Sequence, residues 1–277
     1  MKMKRMNRRG AASLVFPVIF SLGMFFLDAS PRIGLYFRGS YYAPSAVTFN
    51  DELRTLYNQS LQSTERLLQS YGLSTNLVWM EKIKGALSYG GGLEVFLPPR
   101  FSFVLDVEHW RRTRPASVEG SGSFLGSTVG FLLREKGEFS VWPLMATVRY
   151  YFPLDKVQFY LGTGVGYYLG IMKWTEISVV EIGGAVIDSE KTEQEGRGRA
   201  VLPHFDGGVD FPVTENLVIS AEFRYIIGRI ESFEISKSAE TADVGKKITY
   251  INTKGEEINF PLELSGVHFG ILLKILF

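Results

Sequence analysis

The sequence predicts an all-β chain, a transmembrane eight-stranded antiparallel up-and-down β-barrel with an amphipathic helix in its first long loop. Three observations carry that expectation. Apolar and polar residues alternate with period two along most of the chain, the pattern of strands with two unlike faces. Tight turns and long polar connections alternate between those strands, as they do when short turns line one rim of a barrel and long loops the other. No apolar run after residue 30 approaches the roughly 20 residues that a membrane helix needs. Any crossing of a bilayer by this part of the chain is therefore made by strands.

Composition narrows the classes further. The 277 residues include 29 Gly and no Cys, with 14% aromatic and 21% charged residues. A chain without Cys has neither a disulfide framework nor thiolate metal sites. The first segment differs from the rest. Lys2, Lys4, Arg5, Arg8 and Arg9 form a basic start, an apolar stretch runs over 11–27, and Ala29 offers a small residue for cleavage. This is the layout of a secretory signal peptide, so the expected organisation is a signal peptide over 1–29 and one barrel domain over 30–277. Removing 1–29 takes away five positive charges and one negative, and the formal charge goes from +1 to −3. A mildly acidic mature chain gives no footing for nucleic-acid binding.

Eight alternating segments follow, over 33–41, 83–97, 101–107, 142–152, 157–171, 201–211, 217–227 and 267–277. Each supplies the 9–11 tilted residues of a membrane strand or nearly so. In the second segment, for example, Ile83, Leu87, Tyr89, Leu93, Val95 and Leu97 form the outward set. Pro98-Pro99-Arg100, Pro153-Leu154-Asp155-Lys156 and Val213-Thr214-Glu215-Asn216 read as tight turns. The stretches 43–82, 112–140, 175–199 and 230–262 read as long loops. In the first of these, Asn50 reads as an N-cap for a helix of about five turns whose Leu53, Leu56, Tyr57, Leu61, Leu67, Leu68 and Tyr71 recur at helical spacing.

If the apolar sets face lipid, the alternate positions face the lumen. They hold Arg32, Arg38, Lys84, Arg149, Arg224 and Lys274 against Glu94, Asp106, Glu108, Asp206, Asp210 and Glu222, with His204 and His268 among them. An eight-stranded barrel has room for little beyond its own side chains, and buried charges persist only when paired. The expectation is a lumen plugged by salt bridges. A register slip of one residue would exchange the two faces.

In the strand–turn–strand units 146–166 and 207–225 and in the closing segment 266–277, the chain resembles the small eight-stranded outer-membrane β-barrel superfamily of OmpA/OmpX-type, opacity-type and OmpW-like proteins. The resemblance covers about 31–277. The closing segment presents His268, Gly270, Leu273, Ile275 and Phe277 at the spacing that such proteins use as an assembly signal, although Leu273 and Ile275 stand where aromatics are frequent. The helix-bearing first loop departs from the family pattern. The resemblance implies residence in the cell outer membrane, with outer-membrane lipid, lipopolysaccharide and the outer-membrane assembly machinery as partners, and no cofactor.

Few residues offer catalysis. His109 follows Glu108 and could act as a general base beside a carboxylate, or sit at the headgroup interface as a polar-tipped ring. His204 and Asp206 share a face and could edge a metal or acid–base site, or belong to the internal network. Gly162, Gly164 and Gly166 lie inside a strand with no helix following, so they do not form a dinucleotide loop. Arg111, Arg112 and Arg114 are candidate contacts for lipopolysaccharide phosphates. The leading expectation is a non-enzymatic envelope protein acting through its external loops. The alternatives are a narrow channel for small or apolar solutes, and an enzyme acting on lipid A or peptide.

Overall fold

A computed structural model describes residues 32–154, 156–252 and 254–277; the expected signal peptide over 1–29 lies outside the described residues. Eight long strands close into a ring. They are β1 (Arg32–Pro44), β2 (Ala86–Leu97), β3 (Phe101–Phe124), β4 (Ser127–Pro153), β5 (Gln158–Ile182), β6 (Ala185–Pro212), β7 (Leu217–Ile226) and β8 (Gly266–Leu276). Each pairs antiparallel with its sequence neighbour; the long connection from β1 to β2 carries a helix and that from β7 to β8 carries short strands. β1 also pairs with β8, Leu35 opposite Ile275 and Tyr41 opposite Phe269, which leaves the ring without a free edge at this level.

The alternation of the sequence is the alternation of the wall. Phe37, Leu87, Leu161, Val201 and Ile271 are exposed on the outside, while Tyr36, Arg38, Glu94, Arg149 and Tyr160 are buried inside. Glycine matters where the interior is tightest. A Cβ on Gly162 would strike the Asp206 carboxylate, and one on Gly164 the backbone carbonyl of Ala146, so neither position accepts a side chain without displacing the wall.

Two expected loops are strands. The segments 112–140 and 175–199 belong to hairpins formed by β3 with β4 and β5 with β6, strands of 24 to 28 residues. At about 3.3 Å per residue they rise far past the height of a bilayer. Their tips are two-residue turns with both residues at positive φ, Leu125 with Gly126 and Gly183 with Gly184. Such turns match the twist of the strands that they join. Polar composition had concealed them, because strands that rise out of a membrane carry polar residues on the outer face.

The helix begins earlier than Asn50. A π-helical turn over Thr48–Leu53 leads into an α-helix over Arg54–Ser70, together α1, with Val47 at the N-cap position and no side-chain cap. Asn50 is buried within it and has a different task. Its amide accepts from Ile83 N at 2.6 Å and donates to Ile83 O at 3.0 Å. Asn58, two turns on, does the same for Met80 at 2.9 and 3.2 Å. The two asparagines thereby satisfy the backbone of a segment that has no sheet partner. This is why Ile83, expected on the lipid face of the second strand, is instead buried against the helix; the strand itself starts at Ala86.

Phe49, Leu53, Leu61 and Leu68 of α1 pack with Met80, Val118, Phe139, Ile230, Phe233 and Phe260 into one apolar core. Tyr57 stacks on Trp174 of β5 at 4.4 Å. The long hairpins, α1 and the segments 228–252 and 254–264 thus make a packed cap above the barrel. The short strand over Ser74–Val78 borders β3, and that over Glu234–Ser238 borders β6. Leu67 and Tyr71, placed by helical spacing on the same stripe, are exposed.

Inside the cap, Glu135 of β4 stands directly opposite Glu176 of β5. Burial and the facing Glu176 push the Glu135 carboxyl up to about 7, and one of its oxygens has no hydrogen-bond partner. From about pH 4.5, the ordinary value, to about pH 7 the folded cap keeps a proton that the unfolded chain releases, so cap stability falls as pH rises through that window. Limited proteolysis of the cap is expected to be slower at pH 5.5 than at pH 8, and Glu135→Gln is expected to abolish the difference. Equal rates for the native chain at both pH values would contradict this assignment.

Candidate functional site

Strand alternation carries ten charged side chains into the barrel among the described residues: Arg38, Arg149, Arg224 and Lys274, with Glu94, Asp106, Glu108, Asp206, Asp210 and Glu222. They form two connected tiers. Near the short-turn end, Lys274 Nζ bonds Glu94 and Asp210, each at 2.9 Å. Ser102 and Tyr151 each donate to Glu94 at 2.6 Å.

Arg149 links this tier to the next. Its Nη1 lies 3.7 Å from Glu94, its Nε and Nη2 donate to Asp206 at 3.0 and 2.6 Å, and its Nη2 also bonds Glu222. The guanidinium lies over the Tyr160 ring at 4.4 Å. Glu222 further meets Arg38 at 2.7 Å and Arg224 at 3.3 Å. Arg224 reaches Asp106 at 3.0 Å and Glu108 at 3.5 Å, and Tyr36 donates to Asp106 at 2.7 Å.

Two expected members are elsewhere. Lys84 is exposed on the 79–85 segment before β2, where Asn50 has drawn the chain out of the sheet, and Arg32 is exposed at the rim. The charge balance therefore differs from the six against six read from alternation. Inside are four cations and six carboxylates. The two histidines share this space. His204 bonds Thr147 at 2.8 Å, and His268 lies 3.6 Å from Glu108 while stacking on Tyr42 at 3.9 Å.

Tyr42, Trp110, Tyr168 and Leu202 belong to the apolar core, which meets the ionic tiers at Met145, whose sulfur accepts from Arg224 at 3.0 Å. Tyr42 donates to the carbonyl of Leu264, tying β1 to the cap. The lumen is therefore filled twice, by charge below and by apolar side chains above.

The exterior decides the setting. Apolar side chains cover all eight strands, and His109, Tyr89 and Trp142 mark the level where the covering ends. The His109 ring stacks on Trp142 at 4.1 Å and bonds Tyr89 at 3.0 Å and Ser140 at 2.9 Å. A closed ring with its charges inside and hydrocarbon outside is the way a sheet crosses a bilayer, because no backbone group meets lipid unpaired. The fold is an eight-stranded membrane-spanning barrel.

No family model matches the chain, and no curated protein matches it. Among solved structures it is similar to Neisserial surface protein A, with 10% identity over 89% of this chain and 97% of that one at a TM-score of 0.33. It is similar also to the N-terminal β-barrel domain of Pseudomonas aeruginosa OprF, with 11% identity over 89% and 97% at 0.31. A third similar structure is Ail of Yersinia pestis in complex with the heparin analogue sucrose octasulfate, with 11% identity over 90% and 100% at 0.37. The fold assignment for this chain rests on its own strand ring and on its two faces.

The candidate chemical residues separate by face. Glu108 points into the lumen and His109 to the outside, so the neighbouring pair forms no acid–base dyad. His204 and Asp206 both point inward, where Asp206 is engaged by Arg149. Of the three arginines after Trp110, Arg111 is exposed and pairs with Glu138 at 2.6 Å. Arg114 is instead buried in the cap and Arg112 half-buried on the same inward face, because even-numbered positions of β3 face inward. His268 is inside, while Leu273, Ile275 and Phe277 lie on the outer face of the barrel and Gly270 approaches the Ser40 side chain.

Glu222 sits among three guanidiniums, so Glu222→Gln leaves buried positive charge without its counterion. The expected cost is about 3–5 kcal/mol, read as the loss of unfolding free energy in a denaturant titration of the detergent-solubilised barrel. A loss below ~1 kcal/mol, the range of exposed ion pairs, would contradict the network.

Proposed function

We propose that the protein is a non-catalytic outer-membrane barrel of a Gram-negative envelope, whose role is carried by its cap on the external side. The observation that carries this reading is the contrast between lumen and cap. The lumen is occupied by ion pairs and then by aromatic side chains. The cap is a folded body with its own apolar core, held on four strands that overshoot the membrane. Such a body is a rigid platform for envelope-structural contacts or for surface interaction, whereas mobile loops would lose more conformational entropy on binding.

Three features support the orientation. Short turns lie at the end where β1 starts and β8 finishes, and long hairpins lie at the other, as in outer-membrane barrels. The outward Leu273 and Ile275 of β8, with Phe277 after it, are positioned to be read by the outer-membrane assembly machinery before β1 and β8 pair. The aromatic level at Trp142 and Tyr89 fits the headgroup boundary.

The chain contains no cysteine, which makes the orientation directly testable. Leu125→Cys at the β3–β4 tip and Lys156→Cys at the β4–β5 turn are single thiols at opposite ends. On intact cells a membrane-impermeant maleimide is expected to label the first at once and the second only after the outer membrane is permeabilised. Labelling of Lys156→Cys on intact cells, with Leu125→Cys protected, would overturn the proposal.

A further inference from the structure

On the outer face of the wall, just above the apolar band, β6 and the border strand over Glu234–Ser238 enclose a recess of about 580 Å³. Its floor is Tyr167 and Leu169, which belong to the lipid-facing surface; Leu169 is the cross-strand partner of Trp142 and so lies at the aromatic level. Its walls bring in Arg197, Arg199 and Lys247, with Glu234 as the lining carboxylate. Arg197 and Arg199 are two residues apart on one face of β6, about 7 Å along the strand.

These cations are not neutralised in pairs. Arg199 is exposed and forms no ion pair among the described residues. Arg197 bonds Glu195 at 3.2 Å, but that carboxylate also lies 3.5 Å from Lys173 and 3.7 Å from Lys237. Three positive groups thus share one negative group beside the recess, and positive charge remains unanswered at the edge of the hydrocarbon.

We infer that this recess binds a phosphorylated, multiply acylated glycolipid of the outer leaflet, with phosphate on Arg197, Arg199 and Lys247 and acyl chains running down over Leu169 and Tyr167. A soluble anion would satisfy the cations and leave the apolar floor wet. An uncharged lipid would cover the floor and leave the guanidiniums unmatched. Only a ligand with an anionic head and a hydrocarbon tail meets both, and planar guanidinium forks suit phosphate oxygens. The inference rests on the external placement of the cap, since that placement makes the leaflet at this level the outer one, where glycolipid is the source of phosphate.

The test uses the full barrel in detergent, which reads the recess whatever the orientation in cells. Native mass spectrometry is run with bis-phosphorylated lipid A, with its dephosphorylated form and with phosphatidylglycerol. The native chain is expected to retain lipid A preferentially. Dephosphorylation or Arg199→Gln is expected to weaken retention about tenfold, the loss of one charge-assisted contact. Arg134→Gln, an exposed arginine outside the recess, is expected to leave it unchanged. Because Arg199 is exposed, its replacement removes no core contact, and an unchanged heat-dependent gel shift would verify the barrel. Equal retention of the dephosphorylated lipid, preference for phosphatidylglycerol, or no effect of Arg199→Gln would each overturn the inference. A cap labelled from the periplasmic side would instead remove the orientation and leave the chemistry of the recess standing.

Discussion

Arg149 and the carboxylates around it set the terms for the rest of the barrel. A guanidinium with no exposed surface in the middle of a membrane protein is tolerable only if carboxylates and hydroxyls surround it, since isolated burial costs several kcal/mol per ion. Asp206, Glu222 and Glu94 come from three other strands. The ion pairs therefore fix the relative register of β2, β4, β6 and β7 across the lumen, which backbone hydrogen bonds between neighbours cannot do alone. The glycines of β5 are the steric counterpart. Gly162 and Gly164 leave the space that the Arg149 and His204 side chains occupy.

This arrangement also divides the molecule. Up to the level of Trp142 the wall is determined by two solvents, lipid outside and a charged interior, and the dyad pattern is strict. Above it, the same four strands continue in water, and their inner face turns from charged to apolar. Phe139, Val118 and Leu61 make a core of ordinary globular character there. One set of strands thus supports two cores of opposite chemistry, with Tyr42 and Trp110 at the seam in an edge-on contact of 5.6 Å.

The barrel itself was legible because period-two alternation reports which face a residue occupies, and the inward positions from Glu94 to Lys274 follow from it. The failures have physical causes. Lys84 and Ile83 continued the alternation of β2 numerically, but Asn50 binds the backbone at Ile83 and pulls the segment from the sheet. Arg111, Arg112 and Arg114 lie close enough in sequence to suggest one set of phosphate contacts, but strand parity sends Arg111 outward and Arg112 and Arg114 inward. The overshooting hairpins left a signal in Gly183-Gly184, a type I′ turn pair, which outweighs polar composition. The recess at Arg199 had no sequence signal, since Tyr167, Arg199 and Lys247 meet only through pairing of β5 with β6 and the fold of the 232–247 segment.

The central claim is that hydrocarbon lies outside this ring and the ionic network inside it. Nitroxide side chains placed singly along 142–150 of β4 in bilayers, with collisional access to oxygen measured at each, test it most directly. The account requires a period-two profile with maxima at Trp142, Leu144, Ala146, Val148 and Tyr150 and minima at Met145, Thr147 and Arg149. A flat profile, or one with maxima at Thr147 and Arg149, would contradict it.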